Sequence, residues 1–337
     1  MNNSIQESVV SLLPPRRKTT PSGWISFDAP CCIHNGESQD KRGRGGIITS
    51  GDGAVSYHCF NCNYKTGWKP GGHFGYKMRK LLGWLGADDS EVQRLVIEAV
   101  RIRDDLDVPV EKEEEIQVHF DAHALPEGAL EIQHWQDRLN EEDIEPFTEC
   151  CKYLLDRDPN YEWPTYWSNT TLMKHRVIIP FMWKTDVVGY AARAVVDNVK
   201  PKYMAHRPAG YVFNSDRQTA DRKCIIVVEG VFDAVAIDGV GTLGNNINET
   251  QADIIDSIGK EVICVPDKDI AGEQMIDSAL EYGWSVSFPD WHEDVKDVSD
   301  AVLKYGKLFT LTSIIEAKQS NKLKIQLARK KLGTRAK

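Results

Sequence analysis

The chain has 337 residues, 41% of them hydrophobic and 27% charged, with 41 Lys plus Arg against 50 Asp plus Glu for a net charge of −9. That length exceeds one ordinary domain, the composition excludes a disordered or collagen-like chain, and no apolar run approaches the roughly 20 residues that cross a bilayer. An acidic average argues against a nucleic-acid partner only where charge is evenly spread. Here Lys41, Arg42 and Arg44 cluster, and Lys322, Lys324, Arg329, Lys330, Lys331, Arg335 and Lys337 share the last stretch with no acid. Met1 to Leu13 lacks the basic start and long apolar region of a secretory signal, so the chain is expected in the cytosol, with no membrane partner. Its eight cysteines are then expected to be thiols or metal ligands rather than a disulfide framework.

Taken in order, residues 1–23 read as an N-terminal extension and 24–76 as a Gly-rich, aromatic, cysteine-bearing β unit. Helical spacing follows over Lys77 to Arg103, at Leu81, Leu82, Leu85, Val92, Leu95, Val96 and Val100, and then an acidic linker reaching 122. Residues 123–220 read as mainly helical to Asn169 and then as strands over Val177 to Trp183, Val187 to Ala192 and Lys202 to Met204. From 221 to 305, apolar runs at Ile225 to Val228, Val262 to Val265 and Val286 to Phe288 alternate with helices near Phe232 to Ile237, Glu249 to Ile258 and Glu273 to Tyr282. That alternation predicts a βαβ series on a parallel sheet. Residues 306–337 read as a basic C-terminal tail.

Two spacings carry chemistry. Cys31-Cys-Ile-His34 and Cys59-Phe-Asn-Cys62 form two knuckles with 24 residues between them. Three thiolates and one imidazole, from Cys31, His34, Cys59 and Cys62, would close a structural zinc tetrahedron; Cys32 and His58 compete for a place in it. Lys41, Arg42 and Arg44 lie between the knuckles, open either to phosphate or to solvent. Further on, Glu229 ends a buried strand, Gly230 turns the chain and Asp233 lies one turn into the next helix. Asp267-Lys-Asp269 ends the following strand, and Lys296-Asp297 comes after one more. Acids from three strand ends repel unless hard divalent cations neutralise them, although Asp267 or Asp297 taken singly suits a helix N-cap.

The set Glu229-Gly with Asp233, Asp267-Lys-Asp269 and Lys296-Asp297 resembles the TOPRIM signature shared by DnaG-like primases and topoisomerases. With a zinc ribbon upstream, the order is similar to a primase, and in size most like the standalone primases of T-even-type bacteriophages. The resemblance spans roughly residues 24–66 and 170–305. It implies a mixed α/β fold: a small β zinc ribbon linked to a TOPRIM-containing α/β catalytic core, in the host cytosol if phage-encoded. It implies RNA-primer synthesis on single-stranded DNA from ribonucleoside triphosphates, with Glu229, Asp233, Asp267, Asp269 and Asp297 catalytic. Two Mg²⁺ ions, with Mn²⁺ as a substitute, would sit on Glu229, Asp267, Asp269 and Asp297, with Glu229 as ligand or general base. His175-Arg-Val-Ile-Ile-Pro-Phe, Gly189-Tyr-Ala-Ala-Arg193 and Pro201-Lys-Tyr203 are similar to the family's basic segment, which carries nucleotide and template binding onto Arg176, Arg193, Lys202 and Tyr203. Two positions depart from the family: His34 replaces the commoner Cys, and Ser299 replaces a second Asp. No Gly-x-x-x-x-Gly-Lys-Ser/Thr loop occurs, so unwinding falls to a separate hexameric helicase. The rival readings are a TOPRIM nuclease or topoisomerase-like enzyme that cuts DNA, and a non-catalytic ribbon that binds single strands.

Overall fold

The computed structural model describes residues 4–106, 118–157, 163–219, 221–268 and 272–335. It divides into two compact units, one built mainly from the first 115 residues and one from most of the remainder. Much of the acidic linker, and Asp269, lie outside the described residues. Among those described, no helix is long and apolar enough to cross a membrane.

In the first unit, α1 (Ser4–Ser11) precedes an antiparallel sheet of β1 (Arg17–Thr19), β2 (Ile25–Phe27), β3 (Gly45–Thr49), β4 (Val55–Cys59) and β5 (Lys65–Trp68), in sequence order. Helices α2 (Tyr76–Trp84) and α3 (Asp89–Leu106) follow, where the leucine spacing predicts them. Strand alternation sorts the sheet: Val55, Tyr57 and Cys59 point into the core while Ser56 and His58 take the other face. The first helix joins the core of this unit. Ile5, Val9 and Leu13 are buried with Phe27, Ile47, Tyr57, Leu81 and Leu95, because a sheet this small needs a helix to cover its apolar face.

The second unit begins with an antiparallel sheet in the order β10-β9-β8-β7-β6: β6 (Leu130–Glu131), β7 (Tyr166–Trp167), β8 (Arg176–Trp183), β9 (Asp186–Ala194) and β10 (Tyr203–His206). The region expected to be mainly helical, 123–169, therefore holds one long helix, α4 (Glu141–Arg157), and two short strands. The strands form because Trp167 is fully buried at the sheet and its carbonyl accepts the Trp135 indole N–H at 3.0 Å.

The last sheet runs β12-β11-β13-β14-β15. Its chain order is β11 (Cys224–Val228), α5 (Val231–Ile237), β12 (Val240–Gly241), α6 (Glu249–Ser257), β13 (Glu261–Cys264), α7 (Gly272–Tyr282), β14 (Ser285–Ser287), α8 (Val298–Tyr305), α9 (Lys307–Glu316), β15 (Lys318–Gln319) and α10 (Lys322–Arg335). Strand β12 is parallel to β11 and β14 to β13, as the βαβ pattern predicts, but β15 joins β14 antiparallel. The stretch read as a basic tail is thus folded. Arg329 on α10 pairs with Asp277 and Glu273 on α7, so this one charge of the basic stretch is spent within the unit.

Candidate functional site

Strand β4 aims Cys59 inward, and a 3-10 turn over Cys32–Asn35 brings the other knuckle over it. The sulfurs of Cys31 and Cys62 lie 3.4 Å apart and those of Cys32 and Cys59 3.5 Å apart. All four lie within 4.8 Å of one another. A zinc–sulfur bond of about 2.3 Å makes a tetrahedral edge of about 3.8 Å, so this soft donor set fits one Zn²⁺. Cys32, not His34, completes it. The His34 imidazole instead stacks on Trp84, with centroids 4.6 Å apart and planes 5° apart, and His58 takes the outer sheet face.

The surroundings match this assignment. Amide N–H groups of Asn61 and Asn35 donate to the sulfurs of Cys32 and Cys62 at 3.4 and 3.5 Å, and the Tyr57 hydroxyl lies 3.2 Å from that of Cys31. Without metal, burial pushes the Cys31 thiol far up and the Cys32 thiol to about 11, so binding must displace protons. The basic loop is only partly free. Asp40, 2% exposed, accepts backbone N–H groups of Ala29, Arg42 and Arg44 and the Arg44 guanidinium, which ties Arg44 into the ribbon.

On the ribbon's outer face, a row of directly paired residues crosses all five strands: Lys18, Ser26, Gly46, His58 and Lys65. A Cβ on Gly46 would lie 2.9 Å from Trp24, so glycine lets the indole rest on the sheet. Phe60, 65% exposed, packs 4.2 Å from His58 and 6.3 Å from Trp24 between ring centroids. The result is an aromatic strip with an exposed lysine at each sheet edge.

In the second unit, backbone hydrogen bonds set the segments that carry the acids side by side. Glu229 follows β11 and Asp267 follows β13; Val265, just beyond β13, donates its N–H to Val227 of β11 at 2.9 Å. The Lys268 N–H bonds the Lys296 carbonyl at 3.1 Å, joining the Asp267 loop to the loop before Asp297. A Cβ on Gly272 would overlap the Asp267 carbonyl, so only glycine permits this return. Asp297 caps α8 by accepting the Asp300 N–H at 2.7 Å and also bonds the Asp233 carboxyl, which accepts the Ser299 N–H at 2.8 Å. Burial, followed by the neighbouring Asp297 charge, pushes Asp233 up to about 7. Among the described residues the four thiols are the one group of three or more metal-ligand side chains within 4.8 Å. The carboxylates are spread more widely, an oxygen donor set suited to Mg²⁺ that keeps water and phosphate ligands.

The basic residues divide. Arg176 is 1% exposed, and its guanidinium donates to the carbonyls of Leu172, Ala192, Lys202 and Pro201. This corrects its expected phosphate role: the guanidinium is buried and spent on backbone carbonyls. Arg193 does face the site, within 5.1–5.3 Å of the rings of Tyr153, Tyr203 and Phe232, and donates to the Tyr203 hydroxyl. Lys202 and Tyr203 are exposed beside it. Arg157, the last residue of α4, joins them: it donates to Ser299 Oγ at 2.6 Å and covers Tyr153 at 4.8 Å. No motif marks it.

No model of a protein family matches the chain, and no curated protein matches it. The structural neighbours are primases. The zinc-binding and RNA polymerase domains of Aquifex aeolicus primase align over 99% of this chain and 88% of that one, at 17% identity and TM-score 0.40. The RNA polymerase domain of Mycobacterium tuberculosis primase DnaG aligns over 56% and 80%, at 16% identity and TM-score 0.42. A DnaG primase catalytic domain bound to single-stranded DNA aligns over 55% and 73%, at 21% identity and TM-score 0.38. These likenesses lie below a TM-score of 0.5, so function is argued from the residues.

Proposed function

We propose that the chain is a primase, a DNA-directed RNA polymerase that starts short RNA primers on single-stranded DNA. The observation that carries this reading is the meeting of the Glu229, Asp267 and Asp297 segments at one sheet edge, with Asp233 pressed against Asp297. Divalent magnesium bound there would lower the barrier for a primer 3′-hydroxyl to attack and offset charge on the departing pyrophosphate. Glu229, Asp267, Asp269 and Asp297 are the residues that would hold it. Arg193, with Tyr203 beside it, faces the nucleotide's phosphates, and Lys202 meets the template backbone.

The ribbon serves the template. Its outer row spans about 19 Å at the usual strand spacing. Trp24, His58 and Phe60 offer stacking surfaces to bases, while Lys18 and Lys65 meet phosphates at either end. Unwinding comes from a separate replicative helicase.

The test is ribonucleotide incorporation on random single-stranded templates with Mg²⁺. Dinucleotides and short primers support the reading. Template cleavage would favour a nuclease, and strand binding without either product would favour a binding module.

A further inference from the structure

Two carboxyls that touch across α5 and α8 repel when both are ionised, and a proton shared between them or a positive charge nearby relieves that repulsion. Asp233 and Asp297 have one in place before any metal arrives. Arg157 reaches the pair from α4, 142 residues earlier in the chain than Ser299, whose Oγ accepts its guanidinium N–H at 2.6 Å. The Ser299 backbone N–H in turn donates to Asp233 at 2.8 Å. On its other side the guanidinium lies 4.8 Å from the Tyr153 ring and 5.9 Å from that of Phe232, the residue before Asp233. One half-buried cation thus reaches both helices that bear the acids, bonded to α8 through Ser299 and lying over Phe232 of α5.

Arg193 lies by the same two rings, at 5.3 Å from Tyr153 and 5.2 Å from Phe232. Two guanidinium groups sharing two rings repel each other, and neighbouring negative charge offsets that repulsion. Serine at 299 fits this. A carboxylate there would form a salt bridge with Arg157 and fix its charge, whereas the hydroxyl holds the guanidinium by one neutral acceptor and leaves the charge uncommitted.

We propose that Arg157 is the built-in counter-cation of the acidic edge, a positioning residue whose charge offsets Asp233 and Asp297 in the metal-free protein and opposes the entry of a divalent ion. The inference rests on the acidic edge being a metal site, as the primase reading requires. It has an unusual sign. A residue that merely supported the fold would weaken metal binding when removed; a counter-cation strengthens it.

The experiment measures Mn²⁺ affinity of the full chain without nucleotide, by the loss of the free-ion electron paramagnetic resonance signal, in zinc-loaded protein. Arg157→Met keeps the bulk against Tyr153 and Phe232 without the charge, and Arg157→Gln keeps a donor for Ser299; both should bind Mn²⁺ about tenfold more tightly. Arg157→Lys retains the charge and should stay within about twofold of the parent. Unchanged or weaker Mn²⁺ binding in whichever of the two neutral variants keeps the parent melting temperature would overturn the inference. If the parent binds Mn²⁺ no better than Asp297→Asn and makes no dinucleotide, the primase reading falls with it. If the parent binds Mn²⁺ and primes while the neutral variants bind as it does, only the role of Arg157 is lost.

Discussion

The cysteine centre and the acidic edge solve opposite problems. At the first, four soft donors lie within 4.8 Å of one another and every sulfur is met by chain. Hydrogen bonds from Asn35 and Asn61 and the Tyr57 hydroxyl surround the thiols, leaving no position for substrate. At the second, hard donors stand farther apart, Asp233 is pushed up to about 7 by burial and by Asp297, and cations of the chain take part of the load. A site whose ligands all come from the protein can be finished by folding alone. One that must admit a nucleotide is left unfinished, and its strain is borne by neighbouring charges.

The sharpest way to break this contrast is at the thiols. Cys32→Ser should lower zinc affinity by orders of magnitude and unfold the ribbon, because metal binding there is folding free energy of about 10 kcal/mol. His34→Ala should retain one zinc per chain. Metal analysis of the two purified variants decides it: zinc lost from His34→Ala and kept by Cys32→Ser would restore the imidazole to the centre.

At the acidic edge the pattern should reverse, with chemistry lost and folding kept. Asp267→Asn and Asp297→Asn are expected to cut dinucleotide synthesis at least a hundredfold, equivalent to about 3 kcal/mol of transition-state stabilisation, with little change in melting temperature. Near-normal synthesis at saturating Mg²⁺ in both would remove the acids from the mechanism.

Arg176 sharpens the division between binding and building. Arg176→Ala should cost about 3 kcal/mol or more of stability, since four carbonyls lose their donor, yet leave the salt dependence of single-strand binding unchanged. Lys18→Gln and Lys65→Gln should behave the other way, keeping stability while each lowers the slope of log affinity against log salt by about 0.7. A flatter slope for Arg176→Ala, or none for the lysines, would reverse these roles.

The smallest effect concerns the ribbon loop. Burial alone would raise the Asp40 carboxyl, but the backbone N–H groups of Ala29, Arg42 and Arg44 and the Arg44 guanidinium outweigh it and hold it at about 2. A depressed carboxylate adds stability that is full above its unfolded value near 4 and lost as pH falls from there toward 2, in all about 2 kcal/mol. Acid strips zinc from thiolates before that window, so the contribution is best read at neutral pH, as the drop in ribbon stability on Asp40→Asn. A variant as stable as the parent would show that the loop does not depend on this charge.

Much of the molecule was legible in its sequence. The knuckle spacing marked a zinc centre, the leucine spacing marked α2 and α3, and the runs ending at Glu229 and Asp267 marked adjacent strands with acids at one edge. Those signals are local, written in periodicity and in spacings of a few residues. What the sequence hid was decided by packing across long separations. His34 leaves the metal because Trp84, 50 residues on, offers a flat ring, and Cys32 fills the gap. Arg176 looked like a phosphate ligand because an arginine in a basic segment reads the same whether its guanidinium meets solvent or four carbonyls. Arg157 carried no motif, since a lone cation at a helix end gains meaning only when α8 brings Ser299 to it. Spacing along a chain fixes which residue types can meet; which of them do meet depends on competing contacts that exist only once the chain has folded.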